Sequence, residues 1–193
     1  MRQTCAAAAV AYDEVILVER EIIIEIADVI GDLRPDIIIT HYPYDSVSAH
    51  MAVGQMTLFA VEAASALRVD RSYPAHAPAQ IFFHTRPGHT TSLEHSRIPT
   101  TLIDITDVIH QKSRAMNKFK SQFYGDSSPL QRMLAQLDAR IAAINARVPY
   151  AETFIAHFPQ VYQDLPISEY SREILNKTEA EKYEYMTRLL INE

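Results

Sequence analysis

A chain of 193 residues, 48% hydrophobic and 22% charged, is long enough for one domain with a real core. It holds no apolar run of about 18 residues, so no membrane span is expected. Its net charge of −6 argues against a nucleic-acid partner, which would call for a basic face. The single cysteine, Cys5, excludes an internal disulfide and a multi-cysteine zinc site. Residues 1–10 lack the basic start and apolar core of a secretory signal, so a cytoplasmic protein is expected.

Taken in order, Arg2 to Tyr12 is alanine-rich and reads as a helix, and Val15 to Val18 as a short strand. Arg20 to Leu33 is helical by pattern, with Ile23, Ile26, Ala27 and Ile30 on one face and Gly31 and Pro35 bracketing its end. Ile37 to Ile39 lies in a β-branched run behind a proline, the pattern of a strand buried on both faces. The α-β-α-β alternation predicts a parallel sheet. His41-Tyr42-Pro43-Tyr44-Asp45 ends that strand, and Met51 to Ala66 reads as the next helix.

Gln80 to Phe83 is a further strand, followed by an irregular stretch carrying His84, His89 and His95. Leu102 to Ile105 is extended. Thr106-Asp107 caps a helix running to about Tyr124, and a second long helix covers Leu130 to Arg147. Tyr150-Ala151-Glu152 reads equally well as a surface turn or as a return to the sheet edge. Glu169 to Leu190 is a charged amphipathic stretch, expected to be helical and to dock on another subunit.

Strand, polar loop and helix is the layout in which open α/β sheets place their sites, at the carboxyl ends of strands. His50 sits where that loop becomes a helix, with His41 and Asp45 close by in sequence. A neutral imidazole there suits either a metal or proton transfer. Spacing alone leaves a metal site and a structural loop evenly balanced. His84 directly follows a strand, which sets it apart from His89 and His95. Only four glycines occur, none clustered, so there is no phosphate loop; nor is there a Gly-x-Ser-x-Gly elbow.

Arg34-Pro35-Asp36, the apolar strand, Thr40-His41-x-Pro43-x-Asp45 and His50-x-Ala52-Val53-Gly54 together resemble the PIG-L/LmbE-like family of zinc-dependent N-deacetylases. Asp13-Glu14-Val15-Ile16, Leu102-Ile103-Asp104-Ile105-Thr106 and Val148-Pro149-Tyr150-Ala151-Glu152 extend the likeness, which runs in order from about Arg2 to Phe158. It implies a Rossmann-like, three-layer α/β fold with a mostly parallel sheet over residues 1–158, followed by a helical extension over 159–193. It further implies removal of an acetyl group from an amino-sugar type of small molecule, with Zn²⁺ as cofactor and His50 as a metal ligand. His41 and Asp45 would line the catalytic site, and Tyr150 and Glu152 would meet substrate.

The sequence departs from the family in two ways. The His-Pro-Asp-Asp segment that supplies two of the zinc ligands and the general base is absent, along with the elements around it, so an N-terminally truncated form is expected. Val47-Ser48-Ala49-His50 stands where relatives commonly read His-Pro-Asp-His. A homo-oligomer that covers the resulting strand edge is expected. The alternatives to a deacetylase are a metal-dependent hydratase of an unsaturated dicarboxylic acid, of the oxalomesaconate type, and a non-catalytic binding or oligomeric remnant.

Overall fold

The isoleucines of Ile37–His41 set the architecture. This strand, β1, pairs in parallel with β2, Gln80–Thr85, in a register that puts Ile37 opposite Gln80 and His41 opposite His84. The computed structural model describes residues 16–66, 73–85, 99–116, 118, 129–143, 148–169, 172–173, 176–181, 183–184 and 187. The helix expected over Arg2 to Tyr12, Cys5, His89 and His95 lie outside them.

Helix α1 spans Arg20–Leu33 and α2 spans Ser48–Ser65. Thr101–Asp104 (β3) precedes a 3-10 turn at Thr106–Val108, and α3 is Ile109–Met116. Then come α4, Pro129–Ala143, and β4, Ala151–Ala156. The strands form one sheet in the order β1-β2-β4-β3. The α/β class is thus as expected. The sheet is mixed: β1 and β2 are parallel, whereas β3 and β4 are antiparallel, with Thr101 opposite Phe154 and Asp104 opposite Ala151. Two helices separate β3 from β4 where a single crossover helix would return the chain in the same direction.

The described residues divide into two compact units, the first holding those of 16–66, 73–85 and 155–158, the second those of 99–154 and those beyond 158. In the first, α1 packs on α2 and both cover one face of the β1–β2 pair. Ala27 and Ile30 of α1 meet Ala60, Val61 and Ala64 of α2 over Ile81, Phe83 and Ile155. Helix α1 runs through Gly31, which is buried, and ends when Arg34 turns left-handed (φ 49°) and donates its N–H to the Ile30 carbonyl at 2.9 Å.

β1 is not buried on both faces. Ile38 packs into the core, but Ile37 and Ile39 on the opposite face are 55% and 62% exposed. A third layer over that face is absent among the described residues. Residues 16–18 carry no strand pairing, which corrects the strand expected there.

In the second unit, Ile105, Ile109, Ala139 and Tyr150 form one apolar cluster and Ala142, Ala143, Val148 and Ala151 another. Asp104, rather than Thr106-Asp107, opens the turn before α3: its Oδ1 accepts from the Thr106 backbone N–H at 2.9 Å and from the Thr106 hydroxyl at 2.5 Å. In the C-terminal stretch, Glu181 accepts from both the N–H and the hydroxyl of Thr178, each at 2.7 Å, a capping box at the start of a helical segment. No helix among the described residues is long and apolar enough to cross a membrane.

A candidate active site at the end of the first strand

The loop after β1 is built by three local rules. Pro43, with its fixed φ, suits the second position of a β-turn, and the Asp45 N–H closes that turn on the Tyr42 carbonyl at 3.2 Å. Asp45 then folds its carboxylate back, Oδ1 accepting from the Val47 N–H at 2.8 Å. Helix α2 begins one residue later, and His50 falls in its first turn.

Gly54 and Thr57 fasten this loop to α2. A Cβ at Gly54 would lie 2.5 Å from the His41 carbonyl oxygen and 3.1 Å from Pro43 Cα, so only glycine lets the helix pass this close to the loop backbone. Thr57, buried, donates its one hydroxyl proton to the Val53 carbonyl at 2.8 Å. The 3.0 Å contact between the Thr40 and Thr57 hydroxyls is therefore donated by Thr40. The end of β1 is thereby tied to α2 beyond His50.

The result brings His41, Asp45 and His50 together. The rings of His41 and His50 stack with centroids 4.1 Å apart and planes 9° from parallel. His50 Nδ1 lies 3.3 Å from Asp45 Oδ2. An ionised carboxylate only accepts, so Nδ1 carries the proton and Nε2 of a neutral His50 holds the lone pair. Burial would raise Asp45, but its hydrogen bonds from Val47 and His50 outweigh that and hold it below the usual carboxylate range. Burial, reinforced by the neighbouring His50 and His84 and opposed by Asp45, holds His41 below the ordinary histidine value. His84 joins the cluster because it sits opposite His41 in the parallel ladder.

Tyr150 and Glu152 belong to the second unit and have partners there. The Arg140 guanidinium donates to the Tyr150 hydroxyl at 2.9 and 3.2 Å, and Lys112 pairs with Glu152 at 2.8 Å. Glu152 lies near the start of β4 and Tyr150 immediately before it, so the chain returns to the sheet there and does not form a surface turn.

Zinc needs three protein donors converging at about 2.0–2.2 Å. No group of three or more His, Cys, Asp or Glu among the described residues is placed to hold a metal. The stacking explains why. Imidazole lone pairs lie in the ring plane, and two nearly parallel rings aim them along separate planes instead of at one point. Asp45 is already committed to Val47 and to His50 Nδ1. By themselves these residues do not supply the three donors of a catalytic zinc, and they do fit proton transfer through an oriented histidine.

No family model and no curated protein matches the sequence. Solved structures do share the fold. The conserved protein TT1542 from Thermus thermophilus aligns with TM-score 0.65 at 21% identity, over 82% of this chain and 68% of that one. GalB, the 4-carboxy-2-hydroxymuconate hydratase from Pseudomonas putida KT2440, aligns with TM-score 0.64 at 19% identity, over 77% and 62%. The N,N'-diacetylchitobiose deacetylase from Pyrococcus horikoshii, complexed with its inhibitor, gives TM-score 0.60 at 19% identity, over 76% and 54%. At such identities the likeness is one of fold, and the chain spans between about half and two thirds of these proteins' lengths.

Proposed function

We propose that this protein is a hydrolase that cleaves the acetyl amide of an N-acetylated small molecule of amino-sugar type, with His50 as its proton acceptor. The observation that carries this reading is the Asp45–His50 contact, which fixes the His50 tautomer and leaves Nε2 as the base. His50 Nε2 takes a proton from a water molecule as the water oxygen bonds to the amide carbonyl carbon. The imidazolium that forms is balanced by Asp45 on one edge. His41, held neutral by burial, adds no opposing charge on its stacked face. The C–N bond then breaks, His50 returns its proton to the departing nitrogen, and acetate and a free amine leave. General acid–base catalysis of this kind contributes about 10²–10⁴ in rate. The fold shared with a diacetylchitobiose deacetylase supports the substrate class.

A second reading is supported by the likeness to a hydratase. Water addition to the double bond of an unsaturated dicarboxylate needs the same proton acceptor, with the proton finally placed on carbon. The two readings are separated by assaying acetate release from N,N'-diacetylchitobiose against loss of absorbance from a conjugated unsaturated dicarboxylate. Acetate release that requires His50 supports the hydrolase. Absorbance loss without acetate release replaces it with the hydratase.

A further inference from the structure

The loop after β1 has two sides. His41 and Asp45 face the imidazole cluster, while Tyr42, Pro43 and Tyr44 line a cavity of about 580 Å³ that neither His41 nor His50 lines. That volume is in the range of small-molecule sites. Its walls are aromatic. Tyr42 packs edge-on against both Tyr44 and Phe83, at 5.7 and 5.6 Å between centroids, and Phe83 meets His157 at 5.5 Å, again edge-on. Phe59 of α2 closes another side and, like Tyr44, is about half exposed.

The walls are also held in place. Tyr42 and Phe83 are core residues. The His157 backbone N–H donates to the Ile81 carbonyl at 2.8 Å. Beside it, the buried Gln80 side chain ties down Phe158, accepting from the Phe158 N–H at 3.0 Å and donating to its carbonyl at 2.9 Å. A preformed cavity of this kind costs little ordering on binding.

We infer that this cavity is a second ligand site, distinct from the imidazole cluster, that takes an uncharged molecule bearing an aromatic ring. Aromatic edges around an opening suit a flat π-face. No Asp, Glu, Lys or Arg is among the described residues that line the cavity, so a charged ligand would be desolvated without a counter-charge. Gln55 and His157 provide polar contacts for one or two substituents on the ring. The inference stands apart from the proposed hydrolysis, because it uses neither His50 nor Asp45.

The test is titration of the full chain with 2-naphthol, neutral at pH 7, followed by calorimetry and by NMR. Saturable one-to-one binding is expected, weakened tenfold or more by Tyr44→Ala and by Phe59→Ala and unchanged by His50→Gln. Both truncated side chains are half exposed, so the fold should survive, as far-UV circular dichroism would verify. Ala156→Phe, which fills the cavity without removing a wall, should also abolish binding. Lack of saturable binding by the wild type overturns the inference. So does binding that all three cavity variants leave intact, or binding that His50→Gln weakens as much as they do.

Discussion

The imidazoles of His41 and His50 stack 4.1 Å apart and 9° from parallel, yet only His50 is held at its edge by Asp45, at 3.3 Å. In the proposed mechanism one ring is the base and the other its neutral neighbour. Asp45→Asn tests it directly. The amide still accepts at the Val47 turn, but it no longer enforces the His50 tautomer or balances an imidazolium. Turnover should fall by at least about tenfold with little change in thermal stability, as measured by acetate release and by melting temperature.

His41 also sets a pH dependence. Its folded value lies below the ordinary histidine value of about 6.5, so the unfolded chain binds more protons in that window. Its contribution to stability is therefore complete above about pH 6.5 and is lost as the pH falls through the folded value. Urea unfolding at about pH 7.5, 6.5 and 5.5 should show declining stability, and His41→Gln should flatten the decline. An NMR titration of His41 with a midpoint above about 6.5 would contradict this.

Gly54→Ala should do more harm than its size suggests. In an ordinary helix interior alanine is worth up to about 1 kcal/mol over glycine. Here the added methyl would meet the His41 carbonyl and the Pro43 Cα. Net destabilisation of about 1–3 kcal/mol is expected, with loss of activity as the loop moves off α2. Thr57→Val, which leaves the Thr40 hydroxyl without its acceptor, should cost about 1 kcal/mol and weaken activity less.

Zinc should bind weakly. With one oriented imidazole and a committed carboxylate, the described residues lack three donors that converge on one point. Protein treated briefly with a chelator and desalted should retain far less than one equivalent of zinc by elemental analysis. Stoichiometric zinc that survives this treatment and disappears in His50→Ala would restore the metal-ligand role.

Much of this site was legible in the sequence because its signals are local. The β-branched run ending at Thr40, the Pro43 turn and the apolar run after His50 specify a strand, a loop and a helix without reference to anything distant. The pairing of His84 with His41 is not local. It depends on the register of two strands separated by a helix, and the only hint was that each histidine follows an apolar run of similar length. Tyr42 reads as a loop residue, yet it is 4% exposed, because the turn at Pro43 folds its ring onto Phe83. β4 was obscured for another reason. Ala151, Thr153, Phe154 and Ile155 are all buried, so the strand lacks the alternation that marks a one-sided sheet face. The exposed Ile37 and Ile39 show the reverse limit: a β-branched run predicts a strand but not how many of its faces are covered.

The most direct measurement is acetate release from N,N'-diacetylchitobiose and N-acetylglucosamine by the full chain, in the presence of a chelator, for the wild type and His50→Gln. The wild type should release acetate, and His50→Gln should be slower by about 10²–10⁴. Equal rates for the two proteins, no release from either substrate, or a wild-type rate that the chelator abolishes and zinc restores would contradict His50 as the base.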